Sequence, residues 1–227
     1  MNLDKDPFDI LDEINKLPDY TKLSYDDWNM LELLKNHYDY EIRLYLCEVL
    51  SHFHCQRSEN ILIHLLNDTE NLVVASACDS LSYSKSSVVL KELKKHVNSK
   101  NYIVRGYAYM SIGEIINRES SFFDNIEFLI ISIEKEKSIW VKAGIAYALC
   151  LNGFSAEYLI YIEKLLFNDF YNYRLFALNL LTELFKFCSI DKYKKQITEK
   201  LVFMRQNDKN SIVVKKIDSL LDSIGGR

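Results

Sequence analysis

The densest group of side chains with metal-binding chemistry is Glu48, His52, His54 and Cys55. Carboxylate, imidazole and thiolate groups are the usual ligands of zinc. Glu48 and His52 are one helical turn apart and could share a metal, whereas His52 and His54 would lie on different sides of a helix. The preference of histidine for helix C-termini explains the group without a metal. We therefore predict no metal site here.

Motifs for nucleophilic or nucleotide chemistry are absent from the sequence. Gly113, Gly144 and Gly153 are isolated, so no glycine-rich phosphate loop is present. A nucleophile elbow, a His-Glu-x-x-His pair and a Cys-x-x-Cys pair are absent as well. We therefore predict a protein without intrinsic catalysis and without a cofactor.

The composition indicates what kind of scaffold holds these side chains. Of 227 residues, 48% are hydrophobic and 13% aromatic, which excludes wholesale disorder. Only six glycines and two prolines are present, and this scarcity favours helices joined by short turns. The formal net charge of −4 argues against a dedicated nucleic-acid binder.

The cysteines and the N-terminus indicate the compartment. An odd number of cysteines without paired spacing predicts free buried thiols in a reducing environment. The first eight residues are acidic, unlike a signal peptide, and no apolar window approaches the roughly 18 residues of a membrane span. We expect a soluble cytoplasmic protein with no membrane association. The five cysteines are Cys47, Cys55, Cys78, Cys150 and Cys188.

An internal repeat is the strongest signal in the sequence. Six segments align with an irregular period of about 34 residues, in the range of helical-hairpin repeats. Four segments open with Asp or Asn, which cap helix N-termini, and apolar or small residues follow at four and, with one exception, eight positions beyond an apolar anchor. The anchors are Ile42, Val74, Val104, Val141, Tyr173 and Val213, and the four capping residues are Asp39, Asn71, Asn101 and Asn210.

A partner helix is predicted before each anchored helix, so that each repeat is a hairpin. One hairpin cannot cover its own apolar face, and neighbouring hairpins must therefore stack. The predicted partner helices are residues 25–36, 59–66, 87–97, 122–134, 156–167 and 192–204.

The segment with Asn101, Val104, Arg105 and Ala108 resembles the signature that opens the second helix of HEAT repeats. The resemblance extends over residues 24–224 and implies an all-α, right-handed α-solenoid of about six HEAT-like helical hairpins. Residues 1–23 are expected to form an N-terminal capping segment, and residues 1–227 a single repeat domain.

The basic residues after the anchors allow two interpretations. They could bind an anion, or they could bridge neighbouring repeats, as the equivalent residues usually do in HEAT-like proteins. We favour bridging, with Asp39, Asn71 and Asn101 as the expected acceptors. The residues concerned are Arg43, Arg105, Lys142 and Arg174.

A stripe along the second helices is the candidate binding surface. Second helices line the concave side of HEAT-like solenoids, and positions two, five and nine beyond the Arg position share one flank. Tyrosines and glutamates on this flank suit a protein interface, although the aromatics could instead pack between helices. The predicted partner-binding residues are Tyr45, Glu48, Tyr107, Glu114, Tyr147, Phe176 and Glu183.

Charge suggests the kind of partner. Residues 1–41 carry a net charge of −7 and residues 186–227 carry +5. The positive end is either a solvated cap face or a second electrostatic site.

We predict a concave surface that binds a protein, with an immunity protein neutralising a basic toxin domain as a special case. A HEAT-like DNA-binding enzyme of the alkylpurine DNA glycosylase type is the alternative, but Trp28 and Trp140 are solitary and the stripe is not basic. Nothing specific supports a third possibility, a tetrapyrrole-attachment factor.

Overall fold

The computed structural model describes residues 5–187 and 189–225. Within these residues every regular element is helical and no strand occurs, which confirms the all-α prediction. Cys188 and the first four residues of the capping segment lie outside the described residues. The helices are α1 (Pro7–Asn15), α2 (Tyr25–Leu34), α3 (Tyr40–Leu50), α4 (Gln56–Leu65), α5 (Asn71–Ser80), α6 (Ser87–His96), α7 (Tyr102–Arg118), α8 (Ile126–Lys135), α9 (Ile139–Leu151), α10 (Ser155–Leu166), α11 (Tyr171–Lys186), α12 (Lys194–Asn207) and α13 (Ser211–Gly225).

Helices α2 to α13 form six consecutive hairpins, as the repeat predicts. Each hairpin pairs an even-numbered first helix with the odd-numbered second helix that follows it. The second helices carry the fully buried apolar positions, such as Ile42, Val104 and Val141, none of which is more than 2% exposed. Stacking of these faces buries an apolar surface that a single hairpin would leave in water.

Helix α1 has the form predicted for the capping segment. Asp6 caps it by accepting from the backbone N–H of Phe8 at 2.8 Å, and Pro7 occupies the first helical turn. Ile10, Leu11 and Ile14 are buried, and the helix packs against α3. It therefore covers an apolar side of the first hairpin.

The chain divides into two compact units. Unit 1 runs to Glu119 and contains α1 with the first three hairpins, and unit 2 begins at Ser120 and contains the last three. In unit 1 the second helices α3, α5 and α7 pack side by side in chain order. In unit 2, α9 packs against α11 and α11 against α13. Each unit thus has the layered hairpins of an α-solenoid.

The register of the second repeat differs from the predicted one by a residue. Helix α5 is capped at Glu70, so Asn71 is its first helical residue and not its cap. The anchor, three residues after the cap as in Ile42 and Val104, is consequently Val73 and not Val74. Val73 is fully buried, whereas Val74 is 6% exposed. Because Val73 and Val74 are adjacent and equally apolar, the sequence does not show which of them is the buried anchor.

Candidate protein-binding face

One turn device positions the start of all six second helices. In each hairpin the side chain two residues before the N-cap accepts a hydrogen bond from the backbone N–H of the N-cap residue, at 2.8 to 3.3 Å. This local bond fixes the turn and satisfies an amide that the helix cannot satisfy. The accepting residues are His37, Asp68, Ser99, Glu136, Asn168 and Asp208.

Arg43 ties the first hairpin to the second through this device. Its Nε and Nη2 donate to the two carboxylate oxygens of Asp68 at 2.6 and 2.8 Å. Its Nη1 donates to the backbone oxygens of His37 and Tyr38, in the turn before its own helix. Both side chains of the pair are less than 10% exposed. A paired, fully hydrogen-bonded ion pair of this kind can be buried without stranding a charge.

Unit 2 repeats this arrangement one hairpin before its end. Arg174 donates to both carboxylate oxygens of Asp208 at 2.7 and 3.0 Å, and to the backbone oxygens of Asn168 and Asp169. Arg105 makes the same contacts within its own turn, to the backbone oxygens of Ser99 and Lys100. The bridging interpretation is therefore correct for Arg43 and Arg174.

The expected acceptors of these arginines were wrong. Asp39 and Asn101 serve as helix caps, and the carboxylates that bind the arginines belong to Asp68 and Asp208. Burial alone would raise the pKa of Asp68, but the hydrogen bonds from Arg43 and from backbone amides outweigh it and lower that pKa. The pKa of Asp208 is lowered in the same way by Arg174.

The corrected register of α5 completes a face on the second helices of unit 1. Positions two, five and nine after the Arg position of the second repeat are Ser76, Asp79 and Tyr83, all at least partly accessible. With Val74 as the anchor, the same spacing points instead to Ala77 and Ser80, and both are buried. We call this surface the acidic face; it consists of Tyr45, Glu48, His52, Ser76, Asp79, Tyr83, Tyr107, Met110 and Glu114.

Tyr45 stands at the α1 side of the acidic face. It is half-buried, and its hydroxyl donates to Asp12 Oδ1 at 2.5 Å. Phe8 stacks on its ring with the centroids 6.2 Å apart. The hydrogen bond to Asp12, together with desolvation and the nearby charge of Glu48, raises the pKa of the phenol. The capping helix therefore holds this tyrosine beside two carboxylates.

Tyr107 and Tyr83 occupy the middle of the acidic face. Tyr107 packs partly against Val74, Ala75 and Val104. Its pKa is raised by desolvation first and by the negative charge of Asp79 second. Burial raises the pKa of Tyr83 to about 12. Both rings are thus anchored in the core on one side and reach the surface on the other.

The carboxylates of the acidic face differ in their surroundings. Glu48 and Asp79 are exposed. Glu114 is partly buried and pairs with Arg118 at 3.2 Å. Of the seven residues predicted to bind a partner, Tyr45 and Glu48 lie on α3, and Tyr107 and Glu114 lie on α7, on either side of α5 in unit 1. Asp79 and Tyr83 were not predicted from the sequence because the register of the second repeat was wrong by one residue.

The aromatic positions of unit 2 on the predicted stripe are closed. Tyr147 is only 1% exposed, so a partner cannot reach its side chain. Phe176 is 9% exposed and stacks on Trp140 with the centroids 4.0 Å apart. At these two sites the aromatics pack inside the protein, and the prediction of an accessible stripe was wrong. Glu183 is accessible and pairs with Lys186 at 2.6 Å.

His54, near Glu48, packs against an aromatic ring. His54 stacks on Tyr83 with the centroids 3.9 Å apart, and its Nε2 lies 3.0 Å from the backbone oxygen of Ser51. Within residues 5–187 and 189–225, no three His, Cys, Asp or Glu side chains are grouped so as to hold a metal ion. Among those same residues, no helix is long and apolar enough to cross a membrane.

Comparison with known families agrees with this geometry. The family model for HEAT repeats matches residues 29–113, which include most of the first three hairpins. No curated protein matches the chain significantly. The matched residues contain α3, α5, most of α7 and nearly the whole acidic face. With this match, the capped hairpins and the arginine bridge between the first two of them, residues 29–113 are similar to HEAT repeats.

Proposed function

We propose that this chain is a non-catalytic binding protein whose acidic face holds a basic segment of a protein partner. Helical repeat proteins commonly use the surface of stacked helices to bind other proteins. The observation that carries the proposal is the acidic face itself, on which Glu48 and Asp79 are exposed next to half-buried tyrosines.

Charge supports a basic partner. Residues 1–119 contain 19 Asp and Glu against 13 Lys and Arg, a net charge of −6. An acidic surface raises the association rate of a basic partner and repels acidic ones. The same charge opposes duplex DNA, whose phosphates require neutralisation by Lys and Arg.

The tyrosines supply area for the contact. Rings fixed by packing on one side lose little conformational entropy when they are covered on the other, and Tyr is enriched among residues that dominate binding energy. Tyr45 is fixed by Asp12 and Phe8, and Tyr107 by the α5–α7 contact. The special case we propose is an immunity protein that neutralises a basic toxin domain.

Cross-linking from defined positions tests the proposal. A photo-crosslinking residue replaces Ser76 in the middle of the acidic face, or Asn60, exposed on a first helix of the same unit, as the matched control. In cells that express the full chain, we expect the Ser76 position to capture one protein with a basic surface and the Asn60 position to capture none of it.

Charge reversal then measures affinity for the purified captured protein. We expect Glu48→Lys with Asp79→Lys to weaken binding about tenfold or more, since two attractive charges become repulsive. The control, Glu13→Lys with Glu92→Lys, makes the same charge change on first helices and on α1. Equal binding by both variants, capture of an acidic protein, or strong retention of duplex DNA at low salt would each contradict the proposal.

A further inference from the structure

Unit 2 contains a pocket with an excess of positive charge. Its volume is about 220 Å³, and it lies where the start of α9 meets α10. Its lining consists of three lysines, one tyrosine and two aliphatic residues: Lys137, Lys142, Lys164, Tyr161, Ile139 and Leu165. We call it the lysine pocket.

The ammonium groups converge on one ring. The Nζ atoms of Lys142 and Lys164 each lie 5.6 Å from the centroid of Tyr161. The electron-rich ring attracts each of these two cations. Within residues 5–187 and 189–225, none of the three ammonium groups of the lysine pocket forms an ion pair or a hydrogen bond. No carboxylate lines the pocket.

Lys142 is available because its bridge is missing. It stands at the position of Arg43 and Arg174, four residues after the N-cap. Arg43 and Arg174 each bind an Asp that lies two residues before the N-cap of the next second helix. For Lys142, the residue at that position is the neutral Asn168, whose side chain accepts from Phe170 N–H. The charge that elsewhere joins two hairpins is therefore left for another partner.

The acid next to Lys137 is not part of the pocket lining and bonds to backbone groups of its own turn. Glu136 Oε1 accepts from the backbone N–H groups of Lys137 and Ser138, both at 2.8 Å. Three like charges around a small pocket repel one another, and an anion between them would replace that repulsion by attraction.

We propose that the lysine pocket binds a phosphate group. A dianion matches three cations better than a carboxylate does, and its several acceptor oxygens can take hydrogen bonds from all three lysines. Leu165 is buried and forms an apolar wall of the pocket, beside which a charge interaction is less screened than in open water. The phosphate could be a free ion or small phosphomonoester, or belong to a phosphorylated peptide.

Binding of inorganic phosphate to the full chain, followed by backbone amide NMR, tests this proposal. We expect saturable shifts confined to residues around the pocket, with a Kd on the order of 1 mM or tighter. Acetate should bind more weakly. The same titration is done with phosphoserine and with a phosphoserine peptide. Tighter binding of the peptide than of phosphoserine would identify a phosphorylated protein as the source of the phosphate. Equal affinities would identify a small phosphorylated molecule.

Variants localise the effect. We expect Lys142→Gln and Lys164→Gln each to weaken phosphate binding about tenfold, because each removes a charged donor. Lys215→Gln, an exposed lysine on α13, makes the same charge change and should leave it unaltered. Circular dichroism checks that the variants fold.

Protonation gives an independent readout. A phosphomonoester loses its second proton near pH 6, so its binding should be weaker at pH about 5 than at neutral pH. Sulfate is a dianion at both pH values and should bind equally at both. Shifts that do not saturate, shifts spread over all exposed lysines, or unchanged binding by Lys142→Gln would overturn the proposal.

Discussion

The two compact units are built from the same hairpin but differ in what their second helices present. Six residues after the N-cap, unit 1 has the half-buried Tyr45 and Tyr107, with carboxylates beside them. Unit 2 has Phe176 at that position, stacked on Trp140 and closed to solvent. Residues 120–227 carry 15 Lys and Arg against 13 Asp and Glu, so unit 2 is net +2.

The shared part of the two units is the bridge between hairpins. Arg43 with Asp68 and Arg174 with Asp208 have the same bidentate geometry and the same contacts to turn carbonyls. The comparison teaches that stacking fixes the interior positions and the bridges, whereas binding chemistry differs at positions that stacking leaves free.

Removing a bridge acid should have the largest effect. Asp68→Ala leaves Arg43 buried without its counter-charge, and we expect it to lower the free energy of unfolding by about 3–5 kcal/mol. Asp208→Ala should do the same in unit 2. Urea denaturation measures both. Glu183→Ala, which breaks the exposed pair with Lys186, is the control and should cost under about 1 kcal/mol.

Thiol labelling assigns each loss to a unit. Cys47 and Cys78 are buried in unit 1 and Cys150 in unit 2. We expect Asp68→Ala to accelerate labelling of Cys47 and Cys78 more than of Cys150, and Asp208→Ala to do the reverse. Equal acceleration of all three thiols by either variant would break the comparison, because the units would then open together.

The aromatic position six residues after the cap gives the second-largest difference. Phe176→Ala should lower the free energy of unfolding by about 3 kcal/mol, since it leaves a cavity beside Trp140. Tyr45→Phe should cost no more than about 1 kcal/mol, since it removes only the hydrogen bond to Asp12. Thermal and urea denaturation of both variants check this. A Phe176→Ala protein as stable as the Tyr45→Phe protein would contradict the buried packing of Phe176 against Trp140.

Restoring the missing bridge of unit 2 should give a smaller gain. Lys142→Arg with Asn168→Asp recreates the pair found at Arg43 and Arg174, and the new Asp can still accept from Phe170 N–H. We expect the free energy of unfolding to rise by about 1 kcal/mol and phosphate binding to fall. Lys142→Arg alone, which lacks the acceptor, should leave stability unchanged. A double variant no more stable than this control would show that the two positions do not meet.

Acid sensitivity should show the smallest effect. The folded state lowers the pKa of Asp68 and Asp208 below the ordinary 3.8. Their contribution is therefore present above pH about 4 and is lost as pH falls through the lowered folded-state values. Urea denaturation between roughly pH 2 and 6 measures it. Asp68→Asn should flatten this dependence, and a slope that it leaves unaltered would contradict the assignment.

The helical hairpins could be read from the sequence because their signals are local. Apolar anchors at helical spacing predicted the six second helices, and Asp39, Asn101 and Asn210 act as caps as expected. The first helices of the fourth and sixth hairpins begin later than predicted, at Ile126 and Lys194, because 3₁₀ turns precede them.

The sequence pattern gave the wrong register where two adjacent residues fitted the anchor position equally well. Val73 and Val74 are both apolar, and only the packing of α5 between α3 and α7 placed Val73 inside. A one-residue slip rotates a helix by about 100°. That rotation removed Asp79 and Tyr83 from the predicted face and put the buried Ala77 and Ser80 in their place.

The sequence by itself determined that this chain is helical, repeats about every 34 residues and begins with a capping helix, because periodicity, caps and scarce glycine act over a few residues at a time. Only the tertiary structure decided which carboxylates bind Arg43 and Arg174, that Tyr147 and Phe176 are closed to solvent, and that three lysines line one pocket with Tyr161. Those outcomes depend on residues from different hairpins, whose distances follow from how whole helices pack.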